Sequence, residues 1–220
     1  MRILVVFAVT AVLASTSLAV VTVTRSPADP QETSALTGFS TSGDMMSGMA
    51  VTANGSDTAT WATTGAGAGA AVGTTWSLAE SGDTFGGLWS LSSQMALASL
   101  MVDAGPGDTV FDTIMDPELT PGSARGWPFE LQNAGGFTGD ILVTYSGPVS
   151  LTGQSFYGDL YRYMRVDFSS PFTGALTFIA DTDNAAVHGD IHPTVPAPGA
   201  LLLVALGSAL VPWLRRRRAI

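Results

Sequence analysis

Alternating apolar and polar positions predict strands through the middle of the chain. Ile141, Val143 and Tyr145 interleave with Leu142, Thr144 and Ser146, and Met164, Val166 and Phe168 with Tyr163, Arg165 and Asp167. Leu176, Phe178 and Ala180 do the same with Thr177, Ile179 and Asp181. Shorter cases lie at Met49/Val51, Ala59/Trp61/Thr63, Trp76/Leu78 and Trp89/Leu91. Side chains on a strand point to opposite faces in turn, so each run offers one face to a core. Turn residues separate the runs: Asn54-Gly55, Ser81-Gly82-Asp83, Gly105-Pro106-Gly107-Asp108, Gly135-Gly136, Ser146-Gly147-Pro148 and Gly158-Asp159. This spacing predicts an all-β passenger over residues 38–184, an antiparallel β-sandwich of jelly-roll-like form. The apolar run from Gln94 to Val102 suits a short helix or a buried strand equally. Residues 20–37, polar with two prolines, read as an irregular leader, and residues 185–194 as a tether.

The two ends carry apolar runs of another kind. Met1-Arg2 precedes an apolar stretch through Leu13, and Ser17-Leu18-Ala19 supplies small residues for a peptidase. That order is a secretory signal over residues 1–19 with the cut expected at Ala19. At the other end Val195-Pro196-Ala197-Pro198 precedes sixteen uncharged residues, Gly199 to Leu214, and then Arg215, Arg216, Arg217 and Arg218. A helix of that length spans about 24 Å, close to a bilayer's hydrocarbon core, so a transmembrane helix is expected there. The arginines hold the cytoplasmic side and leave the passenger outside. Pro196 and Pro198 keep the helix from running back into the passenger.

Residues 195–220 resemble the PEP-CTERM sorting signal of bacterial exosortase substrates: a Pro-x-Pro tripeptide, a short apolar helix and a terminal arginine cluster, in that order. Ala197 stands where the named motif has Glu, as in variants of the VPxP type. The resemblance implies export and recognition at Val195–Pro198 by a membrane-embedded exosortase-type peptidase. It also implies association with exopolysaccharide and biofilm. The middle resembles a recurring domain of the same proteins at Ser42-Gly43-Asp44, Ala59-Thr60-Trp61, Val110-Phe111-Asp112, Thr120-Pro121-Gly122-Ser123, Gly158-Asp159-Leu160-Tyr161 and Phe178 to Asp183. That second resemblance implies no activity.

Charge sharpens this picture. Between Val20 and Thr194 four arginines face all eighteen acids, and there is no lysine. Such a surface repels phosphate backbones, which disfavours a nucleic-acid partner. Cysteine is absent, so the fold rests on its core without disulfides, and thiol nucleophiles are excluded. No Gly-x-Ser-x-Gly elbow occurs. His188 and His192 have zinc spacing only on a helix, which Gly189 and Pro193 oppose. The run Gly65 to Ala70 reads as a flexible loop or a tightly packed strand edge, not a phosphate loop. Asp44, Asp83, Asp108, Asp140 and Asp159 each follow a glycine, and these pairs read as tight turns. Two ligand readings compete with solvated turns and cross-strand pairing. Asp181, Asp183 and Asn184 offer oxygens to calcium as the one cofactor considered. Tyr161, Tyr163 and Arg165 share a strand face that suits sugar rings. The chain therefore reads as a non-enzymatic envelope or extracellular-matrix protein. A calcium- or carbohydrate-binding module is the alternative, and a secreted hydrolase, for want of a nucleophile–base set, comes last.

Overall fold

The computed structural model describes residues 19–26, 31–33, 35–115, 119–185 and 192–193. Among them the chain is all-β, with fifteen strands in one large, mainly antiparallel sheet and no α-helix. The strands are β1 (Val21–Arg25), β2 (Gln31–Thr33), β3 (Leu36–Gly38), β4 (Ala50–Ala53), β5 (Asp57–Thr60), β6 (Ala62–Gly65), β7 (Ala68–Val72) and β8 (Trp76–Ser81). They continue with β9 (Leu88–Asp103), β10 (Thr109–Asp112), β11 (Glu130–Asn133), β12 (Ile141–Leu151), β13 (Leu160–Ile179), β14 (Asp181–Ala185) and β15 (His192–Pro193).

Two long strands organise the sheet. The first part of β13 lies between β12 and the end of β9, where Val166 pairs with Val143 and with Leu100. Its second part lies between the start of β9 and β11, where Phe178 pairs with Trp89 and with Leu131. Register shifts between Asp167 and Gly174 separate the two parts. β9 continues outward to β4 and β5 at one end and to β8, β7 and β6 at the other. The sheet thus has two wings that share β9 and β13. Alternation turns one face of each wing inward: Val51, Leu100, Val143 and Val166 from one, Leu78, Leu91, Leu176 and Phe178 from the other. All belong to a single buried cluster. Trp89 stacks at 5.9 Å on Phe178, its cross-strand partner in the same wing, and tilts at 5.3 Å against Trp61, which lies between β5 of the other wing and β6.

Several sequence expectations change here. The leader is not irregular throughout: Val21–Arg25 runs parallel to Ile141–Tyr145, because Val-Thr-Val-Thr alternates and β12 has a free edge to pair. The undecided run from Gln94 to Val102 is strand, fixed by β13 on one side and β4 on the other. Part of the tether, His192–Pro193, pairs with β2. The Gly-Ala run forms the β6–β7 hairpin, and Gly69 lies where any Cβ would meet Gly43 O and the Trp61 indole nitrogen.

Candidate functional site

The sequence reads Asp181 to Asn184 as a loop after a strand; the chain instead continues as β14. That strand lies antiparallel to β10, with Asp112 opposite Asp181 and Val110 opposite Asp183. Directly paired residues share a face, as do i and i+2. Asp112, Asp181 and Asp183 therefore occupy one face of the β10–β14 pair, and Asn184 the other. Asn184 sits instead against Gly38 and Thr37 of β3. The proposed calcium trio is thus not brought together, and among the described residues no three carboxylate or imidazole groups are placed to hold a metal ion.

The three aspartates are 1% exposed, as is Asp159 at the entry to β13. Their partners are neutral. Asp159 is fully engaged: it accepts from Thr120 N at 2.8 Å, Thr120 Oγ1 at 2.5 Å and Leu160 N at 3.0 Å. Asp181 Oδ1 accepts from Thr84 Oγ1 at 2.9 Å and Thr182 N at 2.8 Å, whereas its Oδ2 has no partner. Asp112 Oδ1 accepts from Ile114 N at 3.3 Å. Ser123 Oγ lies between Asp112 Oδ2 at 2.9 Å and Asp183 Oδ2 at 3.4 Å, and Asp183 Oδ1 is unpartnered. Gly126 closes over the group; a Cβ there would run into the Asp112 carboxyl carbon.

Burial without a counter-ion disfavours the charged form of a carboxyl. It pushes Asp112 up to about 7, with the Asp159 charge adding to the effect. Asp181 and Asp183 rise to about 8 for the same reason, reinforced by Asp183 and Asp112 respectively. Glu80, inward-facing on β8 beside Trp76 and Leu78, is a separate case, raised to about 8 chiefly by burial. The ion pairs among the described residues lie elsewhere, at Arg162–Asp103 and Arg165–Asp167.

The predicted sugar-binding face is also rearranged. Tyr161 is buried against Tyr145 and Phe156 and donates to Gly158 O at 3.2 Å. Tyr163 carries the Arg162 guanidinium 5.0 Å from its ring centroid, and Arg165 spends its donors on Asp167 at 2.7–2.9 Å. Of the three residues, only Tyr163 and Arg165 keep partial access to solvent. Sequence reasoning singled out Asp181 and Asp183 as calcium ligands but missed their burial and their grouping with Asp112 and Ser123. Their one signal is position: Val110-Phe111-Asp112 and Phe178-Ile179-Ala180-Asp181 put carboxyls at the ends of apolar runs.

Ala19, where the cut is expected, is the first described residue, and the rest of the expected signal, residues 1–18, lies outside the described residues. Val195 to Pro198, expected to carry a sorting motif, the apolar Gly199 to Leu214, Arg215 to Arg218 and His188 lie outside the described residues. No helix among the described residues is long and apolar enough to cross a membrane. No family model, curated protein or solved structure matches the chain.

Proposed function

We propose that this is an exported cell-envelope or extracellular-matrix protein without enzymatic activity, sorted and processed at its C-terminal signal by an exosortase-type peptidase. The observation that carries this reading is the tail. Val195-Pro196-Ala197-Pro198, the apolar Gly199 to Leu214 and the four arginines follow in fixed order, two residues beyond the last strand at Pro193. The apolar segment would lodge in the bilayer, the arginines fix its direction, and the prolines hold extended backbone outside for a peptidase. Exopolysaccharide and biofilm association follows from the family the tail resembles.

The passenger is read more finely as a jelly-roll-like sandwich. Its support is the pair of bent strands, β9 and β13, which run from one wing into the other while both inner faces feed one core. The non-enzymatic reading draws support from the acids held near neutrality, which are sealed from solvent where a substrate would have to reach them.

The test replaces Arg215 to Arg218 with neutral residues and, separately, Pro196 and Pro198 with alanine. Mass and location are followed in the native host. Loss of either feature is expected to leave a longer, membrane-retained precursor. Unchanged mass and location in both variants would refute the sorting reading.

A further inference from the structure

We infer that Asp112, Asp181, Asp183 and Ser123 form a proton-held clasp that keeps β10 on β14 and loosens when its protons leave in alkaline solution. The argument begins with counting hydrogens. Three acceptors surround Ser123 Oγ: Asp112 Oδ2 at 2.9 Å, Ala124 O at 3.1 Å and Asp183 Oδ2 at 3.4 Å. A hydroxyl owns one proton. With both carboxyls ionised, at least two of these contacts would set lone pair against lone pair in a buried site. A proton on Asp112 or Asp183 lets that carboxyl donate to Ser123 Oγ and turns a repulsive contact into a bond. The unpartnered Asp183 Oδ1 and Asp181 Oδ2 add to the need, since a buried, unpaired charge is costly.

Among the described residues the surroundings supply no cation that would replace the proton. Facing the clasp are Asp159 at the entry to β13 and Asp83 from the β8–β9 loop, both acidic. Tyr145 of β12 is neutral and accepts from Phe129 N at 2.9 Å. Arg25 of β1 spends its donors on Thr113, at 2.9 Å to Oγ1 and 2.6 Å to O. Arg125, two residues from Ser123, is exposed.

The sign of the effect is fixed. The carboxyls are raised to about 7 and 8 in the folded chain, against about 3.9 when unfolded. Between about pH 4 and pH 8 the folded state therefore keeps protons that the unfolded state has lost. Stability is greatest at the acidic end of that window, falls as pH rises, and levels off above about pH 8. Each retained proton makes the unfolding constant rise about tenfold per pH unit.

The experiment is urea unfolding of the full chain from pH 5 to pH 9, for the native sequence, Asp183→Asn, Asp112→Asn and Glu80→Gln. Glu80 faces Asp44 and Asp83 and contributes a slope of the same sign from another site, so Glu80→Gln separates it. The clasp predicts that Asp183→Asn or Asp112→Asn flattens the dependence by about one proton, and that this loss adds to that of Glu80→Gln. Should both asparagine variants unfold, amide exchange in the native chain is the second readout. The amides of β10 and β14 should then gain exchange with pH beyond the intrinsic base catalysis seen in β12. A native slope unchanged by either asparagine, or equal exchange gains in β10, β14 and β12, would overturn the proposal. So would calcium raising the pH 8 midpoint of the native chain but not of Asp183→Asn, which would make a cation the occupant.

Discussion

Replacing Trp89 tests whether the core is built as described. Trp89 is fully buried, stacks on Phe178, tilts against Trp61, and donates from Nε1 to Ala180 O at 2.8 Å. An indole buries roughly 200 Å², worth about 5 kcal/mol at about 25 cal/mol per Å². Truncation to alanine in a core costs about 3–5 kcal/mol. The orphaned Ala180 carbonyl adds about 1–3 kcal/mol. Trp89→Ala should therefore remove about 4–8 kcal/mol, comparable to the whole stability of many domains. Trp89→Phe keeps a ring against Phe178 but loses the donor, and should cost about 2–3 kcal/mol. Urea unfolding followed by far-ultraviolet circular dichroism at pH 6 measures both, provided the slope against urea is unchanged. A Trp89→Ala midpoint equivalent to less than about 1 kcal/mol of loss would mean that the two wings do not close on this ring.

Two further substitutions probe polar contacts. Asp103→Asn breaks the two-pronged pair with Arg162, at 2.6 and 2.8 Å with both side chains 21% exposed. Partial screening limits its cost to about 1–2 kcal/mol, and Arg162→Lys with Asp103 intact should retain less than half of the pair's contribution, both read by thermal unfolding. Tyr145→Phe removes the hydroxyl that accepts from Phe129 N and leaves that buried N–H unpaired. It should cost about 1–3 kcal/mol and speed exchange of the Phe129 amide, and no change in either would make the bond dispensable.

Strand periodicity was legible where one face of a wing is buried and the other is wet. Ile141 to Ser146 pairs in β12 with the alternation expected, because its odd residues meet the core and its even ones do not. The Asn54-Gly55 turn was equally plain: Asn54 has φ 51° and Gly55 φ 71°, both left-handed, in the three-residue loop between paired Ala53 and Asp57. What the sequence does not display is the use Asn54 makes of its amide, which accepts from Ala98 N at 2.7 Å and donates to Ala96 O at 3.1 Å. The length of β13 was hidden because Ser169-Ser170-Pro171 and Gly174 look like punctuation. Pairing with β9 resumes at Phe172 after a register shift, so tertiary contacts override the local signal. The acid face was hidden more deeply, since Asp112 and Asp183 are far apart in sequence and buried carboxyls run against ordinary residue statistics.

The corner between β13 and β14 shows why the acids could not be read from local chemistry. No glycine or proline marks the change from Ile179 to Asp181. Long-range bonds make it instead: Trp89 Nε1 holds Ala180 O, and Asp181 N donates to Trp127 O at 2.9 Å. The residue that joins the wings thus fixes the backbone one position before the first acid of the clasp. Groups sharing a backbone segment rarely act independently. The aromatic core and the clasp are accordingly one mechanical unit, with the tryptophans setting where β14 starts and the carboxyl protons setting whether it stays. A chain without cysteine has no covalent staple to make that end of the sheet indifferent to pH.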